Sequence, residues 1–98
     1  MERLLREAVE QRASDIHLTV GVPPTLRING ALVRLNLPPL GPADTLRLFE
    51  SIAPEERQTF FRQNGEADFS HTIHGLSRFR VNAFRQRGSV AIAVRLIP

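Results

Sequence analysis

The side chains best equipped for chemistry in this chain are its arginines. There are thirteen of them and no lysine. Arg78, Arg80 and Arg95 fall in the last stretch, 77–98, which reads as two long strands joined at Arg87-Gly88 or Gly88-Ser89. A short hairpin turn needs positive φ, which glycine supplies. Side chains alternate along a strand. Phe79, Val81 and Ala83 therefore share one face with Val90, Ile92, Val94 and Leu96, forming one wall of a core. The other face carries Arg78, Arg80, Asn82, Phe84 and Gln86, beside Ala91, Ala93 and Arg95. A turn at Arg87-Gly88 sets Arg80 directly across from Arg95; a turn at Gly88-Ser89 puts Asn82 there and Arg80 on the diagonal. Like charges opposed across a sheet are destabilising, and no acid follows Asp68. The arginines must be met from outside the hairpin. Either a carboxylate such as Asp68 or Asp15 faces them, or a bound anion does. Phosphate is the natural anion, because a guanidinium grips it with a rigid two-point fork.

Other chemistries are poorly served. Without cysteine there is no disulfide, thiolate metal site or cysteine nucleophile. His17, His71 and His74 have no second metal-spaced partner and read as surface or hydrogen-bonded residues. Ser14, Ser70, Ser77 and Ser89 lack a nucleophile-elbow context. Glu55-Glu56 reads as a helix start and Phe60-Phe61 as core. A chain with no lysine cannot contain the G-x-x-x-x-G-K-[ST] phosphate loop. No complete catalytic site and no metal site is expected. The net charge of +3 is small, acids are spread through the rest of the chain, and there is no aromatic stacking platform. Nucleic acid is therefore not expected as a partner. No apolar run approaches membrane-spanning length, and the charged start is unlike a signal peptide, so a cytoplasmic protein is expected.

The elements that would position the arginines can be read in order. With 98 residues and 42% hydrophobic content, 1–98 is expected to be a single domain. Leu4, Leu5, Ala8 and Val9 predict a helix over 2–12. Ile16, Leu18 and Val20 predict a half-buried strand. Asn29-Gly30 predicts a hairpin between strands at 26–28 and 32–35. Pro42 opens a second helix with the stripe Leu46, Phe49, Ile52 and Ala53. Pro54-Glu-Glu56 opens a third, with Phe60 and Phe61 inward and Asn64-Gly65 as its stop. A strand over 66–74 follows, with Ala67, Phe69 and Ile73 inward. The order is αβββααβββ, an α+β domain: an antiparallel sheet of about six strands with helices mainly on one face.

Several segments together carry a resemblance. They are Ala13-Ser-Asp-Ile-His-Leu18, Pro23-Pro-Thr-Leu-Arg-Ile-Asn-Gly30, Asp68-Phe-Ser70, Arg78-Phe-Arg-Val-Asn-Ala-Phe84, Gln86-Arg-Gly88 and Arg95-Leu-Ile-Pro98. In this order they resemble the N-terminal domain of PilT-type twitching-motility ATPases, the retraction motors of type IV pili within the secretion-ATPase superfamily. The resemblance implies a PAS-like fold, followed in the parent by a RecA-like motor domain that is absent from this chain, and assembly as a homo-hexamer. It implies that ATP and Mg²⁺ are cofactors of the parent, with none bound by this domain alone. The implied partners are the motor domain of the same or a neighbouring subunit and the pilus machinery of the inner membrane. The implied location is cytoplasmic, peripheral to that membrane. In such motors, arginines of the N-terminal domain close over nucleotide phosphates. Arg80 is the best match for that contact, then Arg27, then Arg78 and Arg95. Arg85 and Arg87, near the hairpin tip, are expected to be solvated or at a subunit contact. The alternative is a free-standing PAS-like ligand-binding or signalling module.

Overall fold

A computed structural model describes residues 1–98. The chain runs through α1 (Glu2–Glu10), β1 (Asp15–Leu18), β2 (Thr25–Ile28), β3 (Ala31–Arg34), α2 (Pro42–Ile52), α3 (Glu55–Asn64), β4 (Glu66–Ile73), β5 (Ser77–Gln86) and β6 (Ser89–Ile97). This is the α+β order the sequence predicts. All strand pairs are antiparallel, in the spatial order β3-β2-β1-β6-β5-β4.

Local chemistry sets most boundaries. α1 begins on an acid and ends when Arg12 adopts the left-handed region at φ 57°. The Ala13 and Arg12 amides then donate back to the carbonyls of Ala8 and Val9, a Schellman closure. The helix is therefore two residues shorter than the apolar stripe suggested, and no glycine marks its end. Pro42 starts α2, where the Gly41 amide donates to the Asp44 carboxylate at 2.6 Å. Gly65, at φ 76°, closes α3. The β2–β3 turn holds Asn29 and Gly30 at φ 50° and 81°, and the β5–β6 turn holds Arg87 and Gly88 at φ 53° and 80°. Two successive residues at positive φ match the right-handed twist of the flanking strands.

One face of the sheet is buried under all three helices. Leu5 and Ala8 of α1, Phe49 of α2, Ala53 just after it and Phe61 of α3 join Ile16, Leu18, Leu26, Phe79, Val81, Ile92 and Val94 in one cluster. Phe49 is its hub, with ring centroids 4.9 Å from Phe61 and 6.3 Å from Phe69. Burying such a ring stabilises by about 2–3 kcal/mol. Three expectations need correction. Leu46 is 43% exposed, and Thr45 takes its place inside. Phe60 lies outside beneath Arg57, at 42% exposure, while only Phe61 is buried. His74 sits in the β4–β5 turn and not on a strand. Helical stripes shift by about 100° per residue, so adjacent positions at the border of a stripe are decided by packing. No helix is long and apolar enough to cross a membrane.

Candidate functional site

The sheet face without helices carries the arginines. The hairpin turns at Arg87-Gly88, so Gln86 pairs with Ser89 and Arg80 lies directly opposite Arg95. The register continues across the sheet: Arg95 opposes Asp15 on β1, and Asp15 opposes Arg27 on β2. On the far side Arg80 opposes Ser70 of β4, with Asp68 one pair further along. One row of side chains thus reads Arg27, Asp15, Arg95, Arg80, Ser70.

The two facing arginines avoid each other by turning to opposite strands. Arg80 reaches outward to β4, donating from Nε and an Nη to both Asp68 oxygens at 3.3 and 3.0 Å. Arg95 reaches the other way to β1, donating to Asp15 at 3.4 Å. Between them opens a shallow depression of about 320 Å³, with Asn82 and Ala93 among its lining and His17 at its side. Within the chain alone, the repulsion written into the hairpin is relieved by the two carboxylates that the sequence named as candidates.

Arg27 approaches Asp15 at 4.0 Å and donates to the Gly30 carbonyl at 3.0 Å, so it also closes the β2–β3 turn. Arg78 is exposed on the same face and pairs with no carboxylate. Arg80, Arg95 and Arg27 therefore lie in one row. Arg78 lies one pair along from it, opposite Ile97.

The electrostatics differ along the row. Burial works against ionising Asp15, but the Ser14 hydroxyl, the Arg95 guanidinium and His17 outweigh it and hold the carboxyl below its ordinary value. Hydrogen bonding to Asp68 and its negative charge push Arg80 further up, so it stays charged throughout the working range. No three His, Asp or Glu side chains converge as metal ligands.

His17 departs from the expectation of a surface or hydrogen-bonded residue. Its Nε2 is buried and has no hydrogen-bond partner. Its strand position, two from Asp15, was the available signal for placing it on this face.

Fold and face together define an α+β sheet domain that buries one side and presents arginine–aspartate pairs on the other. No protein-family model matches the chain. Individual relatives do. It is 40% identical over 95 residues, 97% of its length, to the type IV pilus retraction ATPase PilT of Pseudomonas aeruginosa. It is 38% identical over 98% of its length to the type IV pilus ATPase PilU of the same organism. It spans 28% and 25% of those two relatives, so most of each has no counterpart here. A crystal structure of the pilus retraction motor PilT with bound ADP superposes with a TM-score of 0.90 and 46% identity, covering 98% of this chain and 28% of that one. The Legionella pneumophila ATPase DotB superposes at 0.83 with 27% identity, over 100% of this chain and 28% of that one. The chain is homologous to the N-terminal domain of PilT-type ATPases of the secretion-ATPase family.

Proposed function

We propose that these 98 residues serve as the N-terminal domain of an ATP-driven type IV pilus retraction motor, and that their helix-free face supplies arginines to nucleotide phosphate. The observation that carries this is the state of Arg80. It is fully charged, its side chain is 65% exposed, and it is held only by an aspartate that is itself 48% exposed. Exposed ion pairs contribute about 0–1 kcal/mol, so Asp68 can be exchanged for another anion at small cost. A polyphosphate placed over the depression would draw Arg80 and Arg95 together instead of apart. Negative charge develops on the γ-phosphoryl oxygens during transfer, and a positioned guanidinium stabilises it.

The rest of the nucleotide site would lie on a RecA-like motor domain of the same or a neighbouring subunit, within a cytoplasmic homo-hexamer working on the pilus machinery of the inner membrane. ATP and Mg²⁺ would be held there. Asp15 is held between two arginines and does not fit a magnesium site. The alternative, a free-standing PAS-like ligand module, calls for an apolar cavity inside the domain. That space is filled by Phe49, Phe61 and Phe79.

The test is a chimera in which these residues replace the matching stretch of Pseudomonas aeruginosa PilT. Arg80→Ala should reduce ATP turnover at least about tenfold, as a partial contributor to phosphoryl-transfer chemistry. Arg80→Lys should restore only part, since it keeps the charge and loses the fork. Arg47→Ala, on the outer side of α2, is the control. Wild-type turnover in Arg80→Ala, or a loss that simply tracks thermal stability, would make Arg80 a structural residue.

A further inference from the structure

On the helix side, α2, α3 and the tip of the β5–β6 hairpin enclose a groove of about 390 Å³. Phe49, Phe61 and Val90 line it and are themselves nearly inaccessible. Leu46, the residue whose helical spacing predicted a core position, instead lines this groove with much of its side chain exposed. Gln58 is fixed in place by donating to the carbonyls of Glu50 and Ala53.

The charged groups of the groove are Arg62, Arg85 and Glu50. Arg85 lies over the Phe61 ring at 4.9 Å from its centroid, and Arg62 donates to the Thr59 hydroxyl at 3.0 Å. Neither has a carboxylate partner. The domain's ion pairs use Arg6, Arg27, Arg47, Arg80 and Arg95 only. Both guanidinium groups are thus oriented by neutral contacts while their charge stays uncompensated. The pairing of Arg80 with Asp68, which quiets the open face, has no equivalent here.

We propose that this groove is a docking site for a protein segment that presents a large apolar side chain next to a carboxylate. The groove has room for one aromatic or leucine side chain against Leu46, in front of the wall closed by Phe49, Phe61 and Val90. Two arginines against one glutamate favour a negative group beside it. A planar guanidinium already stacked on a ring loses little freedom when it takes up a carboxylate. Desolvated apolar anchors ringed by arginine are where binding energy concentrates at protein interfaces. This site is separate from the arginine row, and neither proposal depends on the other.

The experiment is an amide-resolved NMR titration of the 98-residue chain with three capped dipeptides: Phe-Glu, Phe-Gln and Gly-Glu. Phe-Glu should shift the amides of Leu46, Phe49, Phe61, Arg62, Arg85 and Val90. Phe-Gln should bind at least about tenfold more weakly, the worth of one charge-assisted hydrogen bond. Arg85→Gln and Arg62→Gln should each weaken Phe-Glu but leave Phe-Gln nearly unchanged, the coupling expected of direct contact. Glu50→Gln should tighten Phe-Glu. Equal affinity for Phe-Glu and Phe-Gln would overturn the proposal. So would Gly-Glu binding as well as Phe-Glu, shifts confined to the Arg80 face, or no shift at about 10 mM peptide. Shifts of the same groove residues on raising protein concentration without peptide would make the occupant a second copy, and would equally overturn it.

Discussion

Asp15 and Asp68 both hold arginines on the same sheet face, and they do so in opposite ways. Asp15 is only 17% exposed, sits between Arg95 at 3.4 Å and Arg27 at 4.0 Å, and accepts the Ser14 hydroxyl at 2.7 Å. Asp68 is 48% exposed and makes the shorter contact, 3.0 Å to one arginine. The shorter pair is the weaker device. Water competes for it, whereas a half-buried carboxylate between two cations cannot be removed without leaving those cations facing each other. The Asp15 side of the row is thus structural, and the Asp68 side is a holder that can let go.

Three measurements on the 98-residue chain would break or sharpen that contrast. The largest effect is expected from Asp15→Ala, which should lower unfolding free energy by about 2–3 kcal/mol. A loss below about 0.5 kcal/mol would put Asp15 in the same class as Asp68.

The next is a pH effect with a fixed sign. The folded-state carboxyl of Asp15 lies below its ordinary value. Its contribution is therefore fully present above the unfolded carboxylate pKa of about 3.9, and is lost as pH falls through the lower folded value. Acid unfolding curves of Asp15→Asn should be shallower than wild type in that window. Parallel curves would show that Asp15 titrates alike in both states.

The smallest effect is expected from Asp68→Asn. Its partner is exposed, so the change in stability should stay within about 1 kcal/mol by chemical denaturation. A larger loss would mean that the Arg80–Asp68 pair is part of the frame.

Much of this arrangement could be read from the sequence. The element order, the alternation of β5 and β6, and the two positive-φ turns are local properties, and they appear as expected. The hairpin register was open, because both turns preserve the apolar wall; the structure selects Arg87-Gly88. Asp68 and Asp15 were named as possible partners of the arginines, but their placement was beyond the sequence. It depends on β1 inserting between β2 and β6, which brings residues 15 and 95 together across 80 positions. The left-handed close of α1 at Arg12 had no glycine to announce it. Leu46 and Phe60 lie at the borders of their helical stripes, where tertiary packing overrode spacing. His17 was visible as a strand position, but its unpartnered nitrogen depends on neighbours that only the folded sheet supplies.

Whether Arg80 exchanges Asp68 for phosphate is decided by the ATP turnover of Asp68→Asn beside that of Arg80→Ala in the PilT chimera. If Asp68 only holds Arg80 between encounters, Asp68→Asn should keep wild-type turnover or exceed it, while Arg80→Ala falls at least about tenfold. A loss in Asp68→Asn equal to that in Arg80→Ala would contradict the account, because the pair would then act as one unit and not as a holder and its released arginine.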